Sequence, residues 1–219
     1  MPTKQRYERR LDAADFRLRS ESEDKPVIVE GYAAKFDEWT TLSKYSDVEV
    51  REIIRSGAFK NAIAEAQDVR ALIDHNPSLL LGRTQAGTLE LSEDEVGLFF
   101  RLTLAKTQAA QDLVENLRLG NLSQCSFAFS PRSNGEIVTT RQADGLVVTE
   151  CELIDVDLYD ISIVAYPAYP NTTVSVANRS RDLIARAGKS APKTPSGRKA
   201  KTRKAAALKV VDHFLKRNQ

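Results

Sequence analysis

Between Pro26 and Pro170 the chain runs as short apolar segments of strand length, each closed by residues that turn the backbone. That punctuation constrains its fold more than any other feature. PVIVEGYAAKF, from Pro26, alternates and is rich in β-branched residues, the pattern of a first strand; YSDVEVREII, Tyr45 to Ile54, repeats it. KFDEWTTLSK between them is polar with a single Trp and reads as a loop. VRALIDHNP, TLELSEDEVGLFFRLTL, CSFAFSP and EIVTTRQADGLVVTECELIDVDLYDISIVAYPAYP supply the later strands. Hairpin turns are expected at EDEVG and around Ala143 to Gly145, and Pro167 and Pro170 stop the last run. Helices are fewer. Ser56 is the expected N-cap of a short one in GAFKNAIAEA, with Phe59, Ile63 and Ala66 on one face. A longer one starts at the cap Thr107, repeats Ala110, Leu113, Val114 and Leu117 at helical spacing and closes at Gly120. About seven strands with two or three helices against them fit an α+β, mainly β domain, a small barrel or sandwich, better than an alternating βαβ fold.

The chain after Val176 is of another kind. From Asn178 to the end there are 13 Lys and Arg against 2 Asp, so the net +2 of the whole divides into +11 here and −9 over residues 1 to 177. Residues 188 to 204, GKSAPKTPSGRKAKTRK, hold no large apolar side chain and cannot offset the entropy of ordering, which makes them a linker. AAALKVVDHFLKRNQ then regains helical periodicity, with Leu208, Val211 and Leu215 on one side among bases, a short amphipathic helix suited to folding on a partner. The expected division is an N-terminal extension over 1–25, a folded domain over 26–177 and a basic linker with a short amphipathic helix over 178–219. A tail of this sign is drawn to polyanions, whether nucleic acid or an acidic protein surface.

At 219 residues the chain is long enough for one core and an appendage. No run reaches the 18 or so apolar residues of a membrane span, and the N-terminus is charged where a signal peptide is apolar, so the protein is expected to stay in the compartment where it is made. Cys125 and Cys151 lack the close pairing of a redox or zinc motif and read as reduced, buried, small hydrophobes. Asp155, Asp157 and Asp160 cluster, but no His or Cys lies near them at ligand spacing, and no glycine loop cradles a phosphate. Neither a metal nor another cofactor is expected.

Two histidines are available for acid–base chemistry. His213 lies among bases in the tail, where solvation or docking is its natural role. His75 sits where a strand gives way to a loop, facing both scaffold and surroundings, which suits either a catalytic group or a turn-capping one. A hydrolase built on it needs a nucleophile and an orienting acid. In SFAFS the two-residue period puts Ser126, Ala128 and Ser130 on one face and Phe127 and Phe129 on the other; in DISIV it puts Asp160, Ser162 and Val164 opposite Ile161 and Ile163. Cys125 is adjacent to Ser126 but points the other way. Singly, a serine on a strand is often just tolerated, and an aspartate at a strand start often caps a turn.

Taken together, EGYAAKFDE, EIIRSGAF, ALIDHNPSLLLGRTQAGTLEL, GNLSQCSFAF and DLYDISIVAYPAYPNTTV resemble the HK97-type prohead (capsid maturation) serine proteases of tailed phages, across residues 26 to 177. In that family the histidine after the hydrophobic strand and the serine of L-x-x-x-S-[FIV]-[GA]-[FY] form the catalytic pair, which implies His75 and Ser126. The pattern [DE]-[IV]-S-x-V-x-x-P-A implies Asp160 as third member. Ala128 stands where glycine is common and Gln124-Cys125 precede the serine, and neither departure removes a catalytic group. The family is similar to herpesvirus assemblins, which implies a small antiparallel β-barrel with packed helices, here followed by a flexible basic C-terminal tail. The implied function is a serine endopeptidase that cuts the scaffolding region of the major capsid protein, and itself, inside the assembling prohead in the host bacterial cytoplasm. Its implied partners are that capsid protein and its scaffolding region, with a second copy of the chain a candidate and no membrane. Arg83, in LLGRT, is a candidate substrate or oxyanion contact, or else half of a surface ion pair. The rival readings are a non-catalytic barrel that binds capsid or scaffold, and a nucleic-acid-binding module that uses KAKTRKAAALK.

Overall fold

The computed structural model of the protein describes residues 6–11, 16–19, 26–165 and 179–186. In chain order its strands are β1 (Tyr7–Leu11), β2 (Arg17–Arg19), β3 (Ile28–Lys35), β4 (Thr40–Tyr45), β5 (Val48–Ile54), β6 (Arg70–Ile73), β7 (Asn76–Arg83), β8 (Leu89–Glu93), β9 (Gly97–Thr103), β10 (Gln124–Pro131), β11 (Glu136–Ala143), β12 (Leu146–Leu153) and β13 (Val156–Val164), with helices α1 (Lys60–Ala64) and α2 (Gln108–Arg118). They form a five-stranded sheet β1-β10-β13-β6-β7 and two four-stranded sheets, β11-β12-β5-β4 and β2-β3-β9-β8. The architecture is therefore mainly β with few helices.

Against the expected seven antiparallel strands, thirteen are present among the described residues, and two neighbouring pairs, β12 with β5 and β13 with β6, run parallel. The strand orders are open, so these pairings do not close the expected barrel. β4 lies within the polar segment read as a loop: Thr40 to Tyr45 pair with Glu52 to Val48, and a partner strand supplies what local hydrophobicity does not. β1 and β2 lie in the stretch read as an extension, and β7 continues directly from the turn after β6. α1 begins at the N-cap Phe59 rather than at Ser56. α2 follows its sequence closely. The Thr107 hydroxyl accepts from the Ala110 N–H, Ala110, Leu113 and Val114 are buried, and Gly120 takes the left-handed φ of 73° after the last turn.

One continuous core lies between these elements. Phe127 and Phe129 of β10 are buried in it, and Phe127 meets Phe59 edge to face at 5.3 Å. Each contributes about 1.5–3 kcal/mol by leaving water. The core does not stop at the expected boundary of residue 177, because residues 179–186 form a helix whose Leu183 and Ile184 are buried. Arg179 explains why so basic a segment is drawn in. Its guanidinium donates from Nε to Glu52 at 2.8 Å and from Nη2 to Glu136 at 2.8 Å, while Arg186 also pairs with Glu136. Burial opposes the charge on Arg179, but the neighbouring Glu52 carboxylate prevails and holds the guanidinium's pKa above its ordinary value. The linker over 188–204 and the helix carrying Leu208, Val211, His213 and Leu215 lie outside the described residues.

Candidate active site

The five-stranded sheet brings the three candidate residues together by register. Ser126 on β10 pairs with Ser162 on β13, and Ala128 with Asp160, so both serines and the aspartate share one face. Phe127, Cys125, Ile161 and Ile163 fill the core on the other. A register shift follows at Ala128/Phe129, where Phe129 pairs with Leu158 and Tyr159 is passed over. Without that bulge strict alternation would turn Leu158 onto the face of Asp160; with it Leu158 is in the core. The Tyr159 hydroxyl donates to Ser130.

His75 comes from the turn between β6 and β7. Ile73 pairs with Asn76, leaving Asp74 and His75 as a two-residue loop with φ of 49° and 55°. Positive φ at both central positions is the type I′ signature, usually met by Asn or Gly, so this turn is strained and must be held from outside. It is held by β13. Asp74 N–H donates to the Ile163 carbonyl, the Asp74 carboxylate accepts from Ala165 N–H, and His75 N–H donates to the Ser162 hydroxyl at 3.2 Å.

The imidazole then lies between the two strand residues. Nδ1 is 2.6 Å from Asp160 Oδ1 and Nε2 is 2.6 Å from Ser126 Oγ. A carboxylate can only accept, so the ring proton belongs on Nδ1 and the Nε2 lone pair faces the hydroxyl. Ser162 Oγ donates to the same Oδ1 at 2.9 Å, and Arg6 pairs with Oδ2. Three donors thus compensate a carboxylate that is only 1% exposed, where an uncompensated charge would be very costly. Glu8 approaches His75 Nε2 at 3.9 Å. Arg6 and Glu8 reach the site because β1 pairs with the free edge of β10, Glu8 opposite Ala128.

The other candidates stand elsewhere. The Cys125 thiol is pushed up to about 12 by burial, which leaves no thiolate at neutral pH. The Arg83 guanidinium is engaged by Asp68, Nε and Nη2 each 2.5 Å from a carboxylate oxygen, as in the ion-pair alternative. Asp157 and Asp155 turn to Arg132, at 2.9 and 3.7 Å. Of the residues now seen at the site, Ser162 was legible as sharing a face with Asp160, but Arg6 and Glu8 were not, because β1 has no apolar alternation to announce it.

The family model of the caudovirus prohead serine proteases matches residues 14–186. The chain belongs to that family. The match extends through the helical residues 179–186. Among solved structures, that of the bacteriophage T4 capsid assembly protease, gp21, is similar at 8% identity, covering 73% of this chain and 99% of that one with a TM-score of 0.41. No curated protein matches. Membership makes the chain a member of a serine peptidase family of capsid maturation.

Proposed function

We propose that the chain is a serine endopeptidase whose triad is Ser126, His75 and Asp160, cutting the scaffolding region of the major capsid protein and its own chain within the assembling prohead. The observation that carries this reading is the line Ser126 Oγ, His75 Nε2, His75 Nδ1, Asp160 Oδ1, with both links at 2.6 Å. Nε2 takes the hydroxyl proton as Oγ attacks a peptide carbonyl, and the imidazolium returns it to the departing amine. Water then repeats the cycle on the acyl-enzyme. Asp160 holds the tautomer and balances the charge that the ring acquires. This reading assigns Arg83, engaged by Asp68, no catalytic role. The capsid protein, its scaffolding region and the prohead setting come from the family, within which the chain's substrate is expected. The basic segment beyond Arg186 suits docking on acidic capsid or scaffold.

Co-expression with its cognate major capsid protein tests this, with product masses read by spectrometry. Specific fragments from the wild type and none from Ser126→Ala support the reading. Intact capsid protein with both chains, although both are folded, would favour a binding module instead.

A further inference from the structure

We infer that Ser162 is a positioning residue for the triad, tying the strained turn that carries His75 to the carboxylate that orients it; this rests on the reading of Ser126 as nucleophile. Its hydroxyl accepts from His75 N–H at 3.2 Å and donates to Asp160 Oδ1 at 2.9 Å, the oxygen on which His75 Nδ1 also converges at 2.6 Å. Backbone N–H, hydroxyl, carboxylate and imidazole therefore close a ring, with both ends of it on His75. A hydroxyl has one proton, and an N–H aimed at its lone pair leaves that proton to the carboxylate. The direction of each bond is thereby set.

The ring does two things that neither Asp160 nor the turn does alone. It holds the backbone of His75 at a φ of 55°, a conformation that a bulky side chain seldom keeps without support. It also gives Asp160 Oδ1 a second donor beside His75 Nδ1, which fixes the carboxylate in the orientation that meets the imidazole. Ser162 does not touch the reacting atoms: the Nε2 that faces Ser126 is on the opposite side of the ring. It is 1% exposed and sits directly across from Ser126 in the register, so the same experiment separates the two roles.

The test uses the full chain and a serine-directed fluorophosphonate, whose labelling rate reports nucleophile activation, with a peptide spanning a cleavage site mapped from the wild-type digest. Ser162→Ala should slow labelling and lower kcat by on the order of 10- to 100-fold, the size of effect a small misplacement of a catalytic group produces. KM should stay near that of the wild type. Ser162→Cys, similar in size but a weak donor, should fall likewise, and Ser162→Thr should regain most of the rate. Folded Ala and Cys variants that label within about twofold of the wild type, while Ser126→Ala does not label, would overturn the inference and leave the triad standing. Labelling lost in Ser162→Ala but kept in Ser126→Ala would instead overturn the nucleophile assignment, and this inference with it.

Discussion

At Asp160 the buried charge is a carboxylate, and at Arg179 it is a guanidinium; the two are compensated on different plans. Asp160 receives His75, Ser162 and Arg6, and beyond His75 lies a hydroxyl whose proton can move. Arg179 meets Glu52, Glu136 and the Cys151 sulfur at 3.1 Å, rests its guanidinium 4.7 Å above the Tyr7 ring, and leaves Nη1 with no hydrogen-bond partner among the described residues. One cluster is a line of hydrogen bonds that ends at Ser126, the proposed nucleophile. The other ties residues 179–186 to β5 and β11, far apart in sequence, and has no proton to pass on. On the proposed reading buried charge serves rate in the first place and attachment in the second, and mutation should separate them.

The largest expected effect is on the first cluster. Asp160→Asn should lower kcat by about 10⁴-fold, since an amide favours the wrong imidazole tautomer, while the thermal midpoint changes little. Turnover near that of the wild type would remove Asp160 from the relay. At the second cluster Arg179→Met should cost about 3–5 kcal/mol of stability, because it removes one partner of a buried ion-pair network, the guanidinium shared by Glu52 and Glu136. Denaturant unfolding measures that loss, and kcat per folded molecule should remain within a few-fold. Truncation sharpens the same point: ending the chain after Arg186 should leave the domain folded, whereas ending it after Ala177 removes Arg179, Leu183 and Ile184 from the core and should destabilise it at least as much as Arg179→Met.

Smaller effects test how the two clusters are joined. The Tyr7 hydroxyl donates to Asp182 at 2.6 Å and its ring lies beside Phe129, so β1, which brings Arg6 to the site, is fastened to the helix that Arg179 anchors. Tyr7→Phe should cost about 1 kcal/mol. Burial, followed by the bond to Asp182, raises the Tyr7 pKa, and burial pushes Cys125 up to about 12. Both are therefore neutral in the folded protein at pH values where the unfolded chain would ionise them. Their contribution is fully present below the unfolded values and is lost as the pH rises, so the thermal midpoint should begin to fall from about pH 9 upward. Tyr7→Phe should make that alkaline fall shallower. An unchanged slope would mean that the tyrosine ionises no differently in the two states.

Local pattern alone determined a good deal. The period of two in SFAFS and DISIV separated Ser126 and Asp160 from the phenylalanines and isoleucines, because side chains on opposite faces of a strand meet different solvents, and the cap and spacing of α2 specified that helix. His75, Ser126 and Asp160 were also nameable as a set through the resemblance. Tertiary structure decided the rest. β1 and β4 are strands because β10 and β5 offer them hydrogen bonds, which their own polar sequences do not reveal. The bulge at Tyr159, which lets Leu158 enter the core while Asp160 faces the histidine, exists only in the pairing of two strands about 30 residues apart. Residues 179–186 read as the start of a basic tail because composition counts charges without their partners; Glu52 and Glu136, distant in sequence, make that charge compatible with burial. Periodicity reports which way a side chain faces, and only the folded chain decides what it meets there.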